Sequence, residues 1–146
     1  MAITTNAIAN SFKKELLEAK HNFTQTSGDQ FKLALYTSSA TLGKSTTSFT
    51  TDHQVGNTGQ YTSGGGKLAK GSQQTSVASS VAIVDFADRS FTGVTLTARG
   101  ALIYNTSNSN TAVAVLDFGG DKTATAGTFT IQFPAFTTSA AILRIS

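Results

Sequence analysis

One segment of this chain, residues 6–21, spaces its apolar side chains at a helical period. The rest falls into short alternating runs separated by serine, threonine and glycine. In Phe31-Lys32-Leu33-Ala34-Leu35-Tyr36, side chains 31, 33 and 35 face one side of a strand and 32, 34 and 36 the other, because successive residues of a strand point to opposite faces. The same chain holds 24 Thr and 16 Ser. The branched Cβ of threonine suits a pleated surface and disfavours a helix. A threonine-rich chain with 13 Gly and 10 Phe is therefore expected to be all-β.

In residues 6–21, Ile8, Phe12, Leu16 and Ala19 share one face, Asn6 is placed to cap the first turn, and Lys14 and Glu18 are four apart and can pair. Strands are expected at 31–37, 77–86, 91–98, 100–105, 112–118, 127–134 and 140–145, with short ones near 47–51 and 67–71. Gly100 suggests a bulge or bend, residues 105–110 a turn, and Pro134 a strand end. Residues 38–66 show little periodicity and close on Gly64-Gly65-Gly66, which predicts a long loop that is flexible or held by outside contacts. Residues 81–93 and 113–127 echo each other: an apolar run, Asp-Phe, then Asp and a cation. They predict two hairpins turning at Asp88-Arg89 and Asp121-Lys122. The expected architecture is one domain over 1–146: an arm and helix at 1–22, then an antiparallel β-sandwich of roughly seven to nine strands over 23–146, of which a jelly roll is one form.

Only 13% of residues are charged, about half the ordinary share. The net charge is +3, and the 11 cations stand singly apart from Lys13-Lys14, so no basic stripe for nucleic acid is visible. The absence of cysteine excludes disulfides and thiolate-held metals. The start lacks the cationic leader and long apolar run of a secretory signal, and no stretch is apolar enough to span a membrane. The expectation is a protein made in a cytosol yet dressed like an extracellular one, a combination met in virus particles.

Catalytic motifs fit poorly. Leu42-Gly43-Lys44-Ser45 resembles the tail of a phosphate loop, but Ser38 stands where that loop needs its first glycine. Asp117-Phe118-Gly119 has no other kinase motif around it. His53 adjoins Asp52 in the loop, without a nucleophile elbow. Four aspartates deserve weighing as a cation site: Asp85, Asp88, Asp117 and Asp121 would gather if the two predicted hairpin ends lay together. The competing assignment, which we favour, has Asp88 and Asp121 shaping turns and Asp85 and Asp117 bonding nearby backbone. No cofactor is expected, and no enzymatic activity.

The opening Ser11-Phe12-Lys13-Lys14-Glu15-Leu16-Leu17, the strand 31–36 with its threonine-rich continuation, and the closing run from "ARGALIYN" through "AVAVLDFGGDKTATAGTFTIQFP" to "AILRIS" resemble, in this order, a group of small virion structural proteins of tailed bacteriophages. Residues 52–80 match only as a glycine-rich region. The resemblance implies a non-enzymatic particle component located in the virion, and carries no catalytic residue across. A capsid decoration or cement protein, homo-oligomeric and bound to the major capsid protein, is the favoured expectation. A tail, baseplate or fibre-associated subunit is the first alternative, and a surface- or carbohydrate-binding β-module the second. Contacts are expected at residues 1–12 and 38–66, with Ile3, Phe12, Phe49 and Tyr61 as apolar anchors in polar surroundings.

Overall fold

The structure, a computed structural model, describes residues 3–69 and 74–146. It is mostly β, with eight strands in two antiparallel sheets and one short helix, consistent with an all-β sandwich. In chain order the elements are β1 (Ala7–Ile8), α1 (Asn10–Leu17), β2 (Phe31–Tyr36), β3 (Gly66–Lys67), β4 (Gln74–Ala78), β5 (Val81–Asp85), β6 (Arg89–Asn105), β7 (Thr111–Ile131) and β8 (Leu143–Ile145). The larger sheet has the order β1-β7-β6-β2-β3 and the smaller β4-β5-β8. Strands β4 and β5 form a simple hairpin, as do β6 and β7, and among the described residues no Greek key of the jelly-roll kind joins them.

The central feature is the β6–β7 ribbon, paired from Arg89–Ile131 to Asn105–Thr111. It joins the predicted strands 91–98 and 100–105 into one, with a bulge beside Gly100 as the glycine suggested. Both predicted hairpins are absent. Val81–Asp85 pairs with β4 and β8 in the other sheet, so residues 86–88 carry the chain from one sheet to the next. Asp121-Lys122 lies inside β7, where Ala98 pairs with Lys122 and Gly100 with Asp117, leaving Arg99 alone opposite Phe118-Gly119-Gly120-Asp121. A local turn signal was absorbed as a bulge because the long ladder on either side outweighs it.

The helix is shorter than its period implied. Ala7 and Ile8 pair with Val115 and Ala114, and the Asn6 side chain accepts a hydrogen bond from the Asp117 N–H at 2.6 Å instead of capping α1. Ala9 takes the cap position without a side-chain bond. Residues 47–51 form no strand beyond a single bridge from Ser48 to Thr111, β7 stops at Ile131, and β8 begins only at Leu143. The strand expected near 67–71 falls partly outside the described residues; of its described part, Lys67 belongs to β3, and Leu68 and Ala69 lie beyond that strand.

Strand β2 is buried on both faces. On one face Phe31 stacks on Phe23, with ring centroids 4.6 Å apart and 4° between planes, and Phe86 brings in the chain that leads from the small sheet. On the other, Tyr36 donates its hydroxyl to the Thr50 carbonyl, and Tyr104, paired with Lys32, stacks on Phe49 at 4.8 Å and donates to the Gly64 carbonyl. The 38–66 segment is thus a second layer over the chain's own sheet. It is neither loose nor in need of outside contacts to be held. Backbone bonds fix it: Thr37 N–H to the His53 carbonyl, Val55 N–H to Leu35, Phe49 N–H to Asn110 and Ala112 N–H to Thr47. Gly65, at φ +87°, passes so close to Leu33 that a Cβ would stand 1.9 Å from the Leu33 carbonyl oxygen. The glycine run is a requirement of that close approach.

Candidate interaction surface

The expected contact residues are mostly internal. Ile3 is fully buried, and its side chain fills the space above Gly100, where a Cβ would stand 2.9 Å from the Ile3 Cδ1. Phe12 is buried against His21, with ring centroids 4.7 Å apart. The buried Tyr61 packs edge-on against Phe91, and its hydroxyl accepts the Leu35 N–H at 2.7 Å. Phe49 is half-buried on Tyr104. Correction is therefore needed at Ile3, Phe12 and Tyr61: an apolar side chain in a polar segment pins that segment to its own core, which is the nearest apolar surface on offer.

The four aspartates do not form the cation site weighed above. Among the described residues, no three acidic or histidine side chains are grouped for a metal. Asp85 is buried and accepts the Phe86 N–H; that burial pushes its carboxyl above the ordinary value. Asp88 accepts the Phe133 N–H at 2.8 Å and so ties the segment after β7 to the sheet crossover. Asp117 accepts the Gly119 N–H at 2.9 Å and the Arg99 Nε–H at 3.1 Å, and the two together hold its carboxyl below the ordinary value. Asp121 sits exposed in the β7 bulge.

Sequence reasoning passed over one polar node. The buried His21 ring lies 2.7 Å from Glu15 Oε2 through Nε2 and 3.0 Å from Asn105 Nδ2 through Nδ1. The Asn105 amide also donates to Asp29 at 2.7 Å. With Asn105 donating to Nδ1, the ring carries its proton on Nε2 toward Glu15. No buried side-chain atom of this set lacks a partner, and the His21 side chain has no exposed surface, so the node joins the helix, the 22–30 loop and the β6–β7 turn and offers a substrate no access. His53 and Asp52 stand exposed in the covering layer.

Two of the concave features adjoin the segments expected to make contacts. A depression of about 810 Å³ lies between the N-terminal arm and the covering layer, lined largely by hydroxyls such as Thr5, Thr41, Ser45 and Thr47. A groove of about 370 Å³ runs between α1 and the small sheet, walled by Phe12, Leu16, Phe23, Val84, Leu143 and Ile145. Cross-strand register explains its apolar character. Val77, Ala82 and Ile145 lie opposite one another across β4, β5 and β8, as do Thr75, Val84 and Leu143, and both rows share one face. Near the groove, Leu17 is 92% exposed, Val77 73% and Ile145 60%. Leu17 was the legible signal: it follows Leu16 directly, so a helix that buries one must expose the other.

No helix among the described residues is long and apolar enough to cross a membrane. No family model matches the chain, and neither a curated protein nor a solved structure does.

Proposed function

We propose that this chain is a non-enzymatic structural subunit of a tailed-phage particle, a decoration protein that binds the outside of the head shell. The observation that carries the proposal is the covering layer at 38–66: a fixed, nearly uncharged, hydroxyl-bearing surface laid over the sheet by backbone bonds and the anchors Leu42, Val55 and Tyr61. Such a surface is already ordered before any partner arrives. It can be laid against other subunits with little further loss of chain entropy, and its threonine and serine hydroxyls have few rotamers to lose. The apolar side chains around the α1 groove supply a second, drier contact. The ordered resemblance to small phage virion proteins points to the same class of particle.

The test is to mix the purified protein with head shells that lack it and to image them. Regular extra density over the lattice is the expected result. Density confined to one vertex favours a tail-associated subunit, and bare shells overturn the assignment to the head.

A further inference from the structure

We draw no further inference here: the strongest candidate, the apolar groove between α1 and the small sheet, carries nothing beyond the contact already proposed for it, because nothing in the structure shows what covers it.

Discussion

The two sheets are finished to different degrees. In the large sheet β2 is buried on both faces, by the Phe23–Phe31–Phe86 cluster on one and by the 38–66 layer on the other, and its edge beyond β6 is met by β3, Gln54 and Val55. Among the described residues the small sheet has three short strands, an edge at β8 with no strand beyond it, and an apolar face that α1 covers only in part. The difference separates two properties that look alike in a sequence. Hydroxyl-rich, charge-poor segments mark the outer skin of a layer the chain supplies to itself. Uncovered apolar surface lies elsewhere, on short strands that carry no unusual composition.

The sharpest way to break this comparison is to cut equal-sized holes in both sheets. Leu33→Ala in β2 removes a fully buried side chain from a site closed on all sides, and should lower unfolding stability by roughly 2–5 kcal/mol in denaturant titrations. Val84→Ala, in the partly open wall of the groove, should cost well under half of that, since water already reaches the site. Equal losses would mean that the groove is as closed as the core.

Next in size is the bond between the covering layer and β2. Tyr61→Phe keeps the ring against Phe91 but leaves the Leu35 N–H buried without its acceptor, and should cost roughly 1–3 kcal/mol. The same phenol gives an alkaline signature. Burial pushes the Tyr61 hydroxyl up to about 12, outweighing the Leu35 N–H that favours its ionised form. A raised folded value means stability that is whole below the unfolded value of about 10 and is lost as pH climbs from there to about 12. Tyr36 is shifted in the same direction by the same cause, and Tyr104 by burial as well. All three tyrosines belong to the large sheet and its cover. Stability measured between these pH values should fall steeply for the wild type and less steeply for Tyr61→Phe.

What the sequence made legible follows from how local each signal is. The alternation of 31–36 settled β2, and the strands expected at 91–98, 100–105 and 112–118 fall within the ribbon's two arms, because a strand's faces are set by neighbours two residues away. The helix end at Asn6 was misjudged because a distant backbone N–H, that of Asp117, competes for the same side-chain oxygen. The twin hairpins failed for a similar reason: Asp121-Lys122 has turn chemistry, but pairing with Ala98 on one side and Gly100 on the other carries the strand through it. The anchors Ile3, Phe12 and Tyr61 stand out from their polar surroundings in the sequence, yet the sequence holds no information on whether such a residue turns inward. The groove was least legible, since it arises from register among β4, β5 and β8, and only the adjacent pair Leu16-Leu17 hinted at it.

The smallest effect contrasts one aspartate from each sheet in acid. Asp117, on β7, is held below the ordinary carboxyl value by the Gly119 N–H first and by Arg99 second. A lowered folded value gives stability that is present above the unfolded value of about 3.9 and is lost as pH falls through the folded one. Asp85, at the end of β5, is raised, mainly by burial, with the charge of Asp88 adding to it and the Phe86 N–H opposing. Its penalty is present above the folded value and is relieved as pH falls toward the unfolded one. The wild type should therefore gain slightly in stability on mild acidification and then lose it below about 4. Asp85→Asn should remove the gain, being as stable as the wild type or more so at neutral pH. Asp117→Asn should be less stable than the wild type at neutral pH and converge on it in acid, because the amide keeps an acceptor for the Gly119 N–H but loses the attraction of Arg99. Urea unfolding across this pH range reads both limbs. If the two substitutions shift the curve in the same direction, burial does not govern Asp85, and the small sheet is as open to water at its β5 end as it is along the groove.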